Sequence, residues 1–216
     1  MKINKYIDHT YLKAFGTEDV IKKLCLEAKE YNFKSVCVNP YYIELAKELL
    51  KGSDTLVCTV IGFPLGQNTL ETKIYETLDA IKKGADEIDM VINIAALLDK
   101  KYDYVLNEIK NIKEACGDKT LKVIIETCYL TDEEIKIATE LVIKAKADFV
   151  KTSTGFGIEG AKVKNVCIMK EISKDIISIK AAGGINSYND AIEMIKAGAN
   201  RIGTSHGVEI VKGEKE

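Results

Sequence analysis

Gly84-Ala85-Asp86-Glu87-Ile88-Asp89-Met90, Lys146-Ala147-Asp148-Phe149-Val150-Lys151-Thr152 and Gly198-Ala199-Asn200-Arg201-Ile202-Gly203-Thr204 are three copies of one pattern. A weaker copy runs Asn32-Phe33-Lys34-Ser35-Val36-Cys37-Val38. Each copy leads into a short apolar run of the kind that forms a buried strand. Further runs of this kind bring the strand candidates to 6–9, 35–39, 56–62, 87–93, 122–127, 149–153, 178–182 and 201–204, so the copies introduce every second one. Amphipathic stretches separate them, such as the stripes Val20, Leu24, Cys25, Ala28 and Ile135, Ala138, Val142, Ala145. Thr131 through Glu134 fits a capping box, as do Asn68 with Glu71 and Ser187 with Asp190, while Lys83-Gly84 and Ala197-Gly198 have the form of helix ends.

Strands alternating with helices and no linker between them predict an α/β fold, a parallel eight-stranded (β/α)₈ TIM barrel formed as one domain over residues 1–216. The rival is an open doubly wound sheet, but such sheets carry a glycine-rich turn after the first strand. Here that turn reads Asp8-His9-Thr10-Tyr11-Leu12, without glycine.

In a barrel the β-branched position of each copy (Val36, Ile88, Val150, Ile202) faces the helices and the next residue faces the axis, because side chains alternate along a strand. The pattern therefore predicts one interior layer of Cys37, Asp89, Lys151 and Gly203, with Lys180 projecting nearby from the seventh strand. The glycine is expected to leave room for a small ligand. Buried lysine is rare unless paired. A lysine crowded by a second cation gives up its proton more easily and becomes a nucleophile toward carbonyls. Lys151 is then the candidate nucleophile, Lys180 the cation that promotes loss of its proton, and Asp89 the partner that moves protons. The competing reading is a structural ion cluster, which fits poorly in an interior where branched apolar residues usually dominate.

Turns rich in backbone N–H groups follow the later strands: Ser153-Thr154-Gly155, Gly183-Gly184 and Gly203-Thr204-Ser205. Barrels of this class place a phosphate after strands seven and eight, at the start of a short extra helix, which 207–211 is expected to begin. Thr154, Gly155, Gly183, Gly184, Gly203 and Ser205 are therefore phosphate-site candidates. Asp8, Thr10, Asn39 and Cys37 end or line the first two strands and are candidates for substrate contact; of Glu126 and Thr127, either one faces inward.

Composition narrows the function classes. With 46% hydrophobic and 30% charged residues, the 216-residue chain has the make-up of an ordinary soluble domain. A net charge of -2 gives no footprint for nucleic acid. No apolar run approaches the roughly 20 residues of a membrane span, and the first residues show no apolar leader. The six cysteines form no C-x-x-C pair and the two histidines lie far apart, so no metal site is expected, and the thiols read as reduced residues of a cytoplasmic protein.

Together these stretches resemble the deoxyribose-phosphate aldolases, a family of class I aldolases. The resemblance rests on Ile7-Asp8-His9-Thr10, Ser35-Val36-Cys37-Val38-Asn39-Pro40, Ile61-Gly62-Phe63-Pro64-Leu65-Gly66 and 87–93. It continues through 122–128, Val150-Lys151-Thr152-Ser153-Thr154-Gly155-Phe156 and Ile179-Lys180-Ala181-Ala182-Gly183-Gly184-Ile185. It implies a barrel that reversibly cleaves 2-deoxy-D-ribose 5-phosphate to acetaldehyde and D-glyceraldehyde 3-phosphate without metal or cofactor, in deoxyribonucleoside catabolism. It implies Lys151 as the Schiff-base lysine, Lys180 as its neighbour, Asp89 as the proton relay, and assembly as a homodimer or homotetramer. Asn186 stands where many members carry arginine, His206 where many carry serine, and Glu159-Gly160-Ala161-Lys162 where many carry Gly-Gly-Ala-Thr. The tail, Lys212-Gly213-Glu214-Lys215-Glu216, lacks the terminal tyrosine of some members. Lys162 or His206 is the expected replacement for the missing cation. Other readings are a Schiff-base aldolase for a different sugar, a barrel that only binds a sugar phosphate, and a phosphosugar isomerase.

Overall fold

Eight parallel strands close into a barrel in chain order. They are β1 (Ile7–Tyr11), β2 (Ser35–Val38), β3 (Leu56–Ile61), β4 (Glu87–Val91), β5 (Thr120–Ile124), β6 (Phe149–Lys151), β7 (Ser178–Ala182) and β8 (Arg201–Thr204). The computed structural model describes residues 2–214; Met1, Lys215 and Glu216, and with them the very end of the tail, lie outside. Between strands run α1 (Glu18–Glu30), α2 (Ile43–Leu49), α3 (Leu70–Lys82), α4 (Ile94–Leu98), α5 (Tyr102–Cys116), α6 (Asp132–Lys144), α7 (Val163–Ser173) and α8 (Tyr188–Ala197), with α9 (Gly207–Gly213) after β8. This is the (β/α)₈ TIM barrel expected from the alternation, and β1 pairs with β8 to close it. No described helix is long and apolar enough to cross a membrane.

Two chemistries divide along each strand. Val36, Ile88, Val150 and Ile202 are fully buried in the apolar layer between strands and helices, as the sequence pattern requires. The alternate positions point to the axis, where Asp8, Ser35, Glu87, Asp89, Lys122, Lys151, Lys180 and Arg201 are buried. None of the six cysteines is bonded to another, and Cys25, Cys37, Cys58 and Cys116 are buried.

The capping boxes at Thr131 and Ser187 form, but the helix after β3 is capped by Thr69, whose hydroxyl accepts from the Thr72 amide, and not by Asn68. Asn68 instead sits 3.5 Å from a Glu76 carboxylate oxygen. The inner face of α1 is carried by Ile21, with Val20 only partly covered. β4 stops at Val91 because Asn93 turns to cap α4. β5 stops at Ile124, short of the expected Thr127, because Glu126 adopts a left-handed conformation (φ 52°) that ends the pleat.

Outside the barrel, a buried ion pair holds two loops at its C-terminal mouth. Lys73 Nζ donates to Glu108 Oε1 (2.7 Å), to the Gly66 carbonyl (2.9 Å) and to the Val91 carbonyl (2.8 Å). The other Glu108 oxygen accepts from the Asn93 amide at 2.9 Å. Both side chains are sealed from solvent, so removing one partner strands the other. Lys73→Met is expected to lower the unfolding free energy by about 3–5 kcal/mol in a urea titration. A loss below about 1 kcal/mol would mean that the pair does not hold these loops.

Candidate active site

β4 turns Glu87 and Asp89 inward and Ile88 and Met90 outward. Asp89 becomes the hub of the interior. Its Oδ2 accepts from Lys151 Nζ at 2.6 Å and from Lys180 Nζ at 2.7 Å. Its Oδ1 accepts from Lys122 Nζ at 3.1 Å and from the Cys58 thiol at 3.2 Å. Lys180 lies as close, 2.7 Å, to Asp8 Oδ2. Below, Arg201 donates to Asp8 and Glu87, Lys122 donates to Glu87 at 2.6 Å, and the Ser35 hydroxyl donates to Asp8 at 2.7 Å.

Four basic side chains thus face three carboxylates, and the excess is one positive charge. Burial opposes ionisation of Asp89, yet Lys122, Lys151 and Lys180 hold its carboxyl well below the usual range. Burial likewise opposes the charge on Lys180, but Asp8 and Asp89 raise its pKa above that of an ordinary lysine. Lys122 is likewise raised, against burial, by Asp89, Cys58 and Glu87. Lys122 and Lys180 each touch two carboxylates, whereas Lys151 touches only Asp89. Lys151 also lines a cavity.

That cavity, about 310 Å³, opens at the C-terminal ends of the strands, where barrels of this class carry out their chemistry. Of the candidate residues, Thr10, Lys151, Thr154, Gly155, Gly183, Gly184, Gly203 and Ser205 line it together. Asp89 and Lys180 lie beneath Lys151, fully buried. Three expected substrate contacts are placed elsewhere. Asp8 is fully buried and taken up by Arg201, Ser35 and Lys180. Cys37 is sealed beneath the cavity beside Cys58, and Asn39 donates to the Leu12 carbonyl at 3.2 Å. Gly203 does leave room, but for the neighbouring lysine: a Cβ there would lie 3.1 Å from Lys180 Cε.

The turn after β7 is two consecutive left-handed glycines, Gly183 (φ 86°) and Gly184 (φ 75°), a conformation that a side chain would strain. Among the described residues, the amides of Gly155, Gly183, Gly184 and Ser205 donate no hydrogen bond within the protein, so their donors remain for a ligand. Lys162 and His206 are not in this wall: Lys162 pairs with Glu159 at 2.6 Å, and the His206 ring meets the Ser205 hydroxyl at 3.2 Å.

Glu126 organises the adjoining turn after β6. Its carboxylate accepts from the Thr154 amide (3.2 Å to each oxygen) and from the Thr154 hydroxyl, which in turn accepts from the Phe156 amide at 3.0 Å. The Thr154 hydroxyl is therefore spent on the loop. Burial pushes the Glu126 carboxyl above its usual range, against the hydrogen bonds from Thr154. Phe63, from the turn after β3, packs edge-on against Phe156 with ring centres 5.3 Å apart.

Ligating atoms of Cys37, Cys58 and Asp89 lie within 4.8 Å of one another, but they fit a metal poorly. Both Asp89 oxygens already face lysines, and Lys122 Nζ is 3.5 Å from the Cys58 sulfur, so a metal cation would meet other cations. A wider groove at the N-terminal end, bordered by Lys47, Asp54 and Lys83, lacks such a cluster; its Lys47 and Asp86 neutralise each other at 2.8 Å.

Comparison with known proteins agrees with this architecture. Residues 2–213 match the model of the DeoC/LacD family aldolases. The deoxyribose-phosphate aldolase of Malacoplasma penetrans is 56% identical over 214 residues, covering 99% of this chain and 96% of that one. That of Clostridium tetani is 56% identical over 216 residues and covers both chains completely. Among solved structures, the tetrameric deoxyribose phosphate aldolase of Aeropyrum pernix superposes with a TM-score of 0.90 at 32% identity, over 99% of this chain and 91% of that one. The chain belongs to the DeoC/LacD family of aldolases.

Proposed function

We propose that the protein is a class I aldolase, a carbon–carbon lyase that reversibly cleaves 2-deoxy-D-ribose 5-phosphate to acetaldehyde and D-glyceraldehyde 3-phosphate. The observation that carries this reading is the cavity's chemistry: an amine, Lys151, at its floor against Asp89 and Lys180, and walls with a second amine, free amides and no carboxylate. Such a site suits an anionic carbonyl substrate. The relatives in Malacoplasma penetrans and Clostridium tetani are deoxyribose-phosphate aldolases, which supports this substrate. The tetrameric Aeropyrum pernix relative supports assembly of this chain into a homo-oligomer.

In this reading Lys151 Nζ adds to C1 of the open-chain aldehyde, and loss of water leaves an iminium. The C3 hydroxyl gives up its proton, the C2–C3 bond breaks, and its electron pair moves into the enamine while C3 becomes the aldehyde carbon of glyceraldehyde 3-phosphate. Protonation of C2 and addition of water release acetaldehyde and restore the amine. Asp89, in contact with the Lys151 nitrogen, and Lys180, which shares the same Asp89 oxygen, form the path by which protons leave and return, with water completing the transfer to substrate. The amides of Gly155, Gly183, Gly184 and Ser205 receive the phosphate.

Incubation with 2-deoxyribose 5-phosphate is expected to release acetaldehyde and glyceraldehyde 3-phosphate in equal amounts, and Lys151→Ala to remove at least about 10³-fold of the rate. Equal turnover by the Lys151→Ala protein would overturn the mechanism. Glu126 generates a pH prediction. Its ionised carboxylate holds Thr154, and the raised pKa means that this grip fails as pH falls through a value above the ordinary glutamate range of about 4.3. KM for the phosphosugar is therefore expected to rise on the acid side of neutrality, and Glu126→Gln to flatten that rise. An acid limb unchanged in Glu126→Gln would remove Glu126 from this role.

A further inference from the structure

Resting on the proposed phosphosugar reading, we infer that Lys13 is the cation that selects the phosphorylated substrate. The cavity wall carries two amines and no carboxylate. One amine, Lys151, is held by Asp89 on the cavity floor. The other is Lys13, which follows β1, and Lys13 forms no ion pair among the described residues. Among the described residues its amine lies over the face of Phe15, with Nζ 5.8 Å from the ring centre. A lysine without a carboxylate partner and amides without acceptors, lining one cavity, have the make-up of an anion site.

Topology puts Lys13 on the correct side. β8 lies between β1 and β7, so the turn bearing Lys13 adjoins the turn bearing Ser205, with the Gly183-Gly184 turn next beyond it on the same cavity. The same wall contains Asn186, whose amide side chain brings no charge. Lys162 is neutralised by Glu159 and lies outside the cavity, as does His206. A full positive charge on this wall therefore comes from Lys13.

The backbone that presents Lys13 is pinned from several directions. Asn39 Nδ2 donates to the Leu12 carbonyl at 3.2 Å, and the Gly16 amide donates to the Lys13 carbonyl at 3.2 Å. The Tyr42 hydroxyl donates to the Gly16 carbonyl at 2.6 Å. The Tyr11 ring packs so close to Gly16 that a Cβ there would collide with it. Asn39, expected from sequence to touch substrate, thus acts one step back as a positioning residue for the turn. The lysine stem is exposed but its base is fixed, so ordering the amine on a phosphate costs only side-chain entropy.

The test compares kcat and KM for 2-deoxyribose 5-phosphate and for 2-deoxyribose in the parent, Lys13→Ala and Lys13→Arg proteins. Lys13→Ala is expected to raise KM for the phosphorylated sugar by about tenfold to hundredfold, the range for one charge-assisted hydrogen bond, and so to collapse the preference for phosphate. Lys13→Arg keeps the charge and is expected to retain most of the preference. Inorganic phosphate, as a competitive inhibitor of deoxyribose cleavage, is expected to weaken in parallel in Lys13→Ala. If the parent prefers the phosphorylated sugar and Lys13→Ala preserves that preference, Lys13 is not the selecting cation, while the phosphosugar reading stands. If the parent shows no preference for the phosphorylated sugar, the phosphosugar reading itself fails and takes this inference with it.

Discussion

One carboxylate oxygen shared by two lysines governs this molecule. Asp89 Oδ2 accepts from Lys151 and Lys180 at once, and its other oxygen faces Lys122. Three ammonium groups around one acid are tolerable in a buried place only if further carboxylates share the load. Asp8 and Glu87 do so for Lys180 and Lys122, and for Arg201 below them. Lys151 is left with the smallest share, at the point where the interior meets the cavity. Its position at the end of the charge ladder, more than any feature of the residue itself, is what makes it the proposed nucleophile.

The barrel makes this arrangement affordable in structural terms by separating tasks. Outward positions build a continuous apolar layer with the helices, and that layer drives folding. Inward positions are then released from the usual demand for branched apolar side chains. Buried ion networks are weak sources of stability, since desolvation offsets much of their attraction. An interior built of seven such groups is a sign of chemistry, not of packing. The small inner apolar cluster of Leu12, Cys37, Cys58 and Val60 borders this network, with Cys58 reaching Asp89 and Lys122.

Much of this was legible in the sequence because strand geometry has a period of two. The repeat that ends in Ile88-Asp89, Val150-Lys151 and Ile202-Gly203 carries the facing of each residue with it, and so predicts the meeting of Asp89 with Lys151. The same repeat contains Glu87 and Arg201, two residues earlier and therefore also inward. Their signal was present but is read only when the whole column is followed down the barrel. Asp8 and Cys37 show the converse: inward facing alone does not say how deep a residue lies, and these two fall below the cavity floor. Asn39 and Glu126 were beyond periodicity altogether. Each acts through a turn, Asn39 on the Leu12 carbonyl and Glu126 on Thr154, and such contacts depend on loop paths that no repeat encodes. Lys13 had no sequence signal except its place after the first strand, because an exposed lysine resembles any other until its neighbours are known.

The most direct test of the central claim is chemical trapping. The protein is treated with acetaldehyde and borohydride near neutral pH, and the product is weighed intact and then mapped by peptide. A single ethyl group on Lys151, with Lys122 and Lys180 unmodified, is the result expected if the charge ladder leaves Lys151 as the amine that meets substrate. An adduct on Lys180, or labelling scattered over surface lysines with Lys151 untouched, would contradict it.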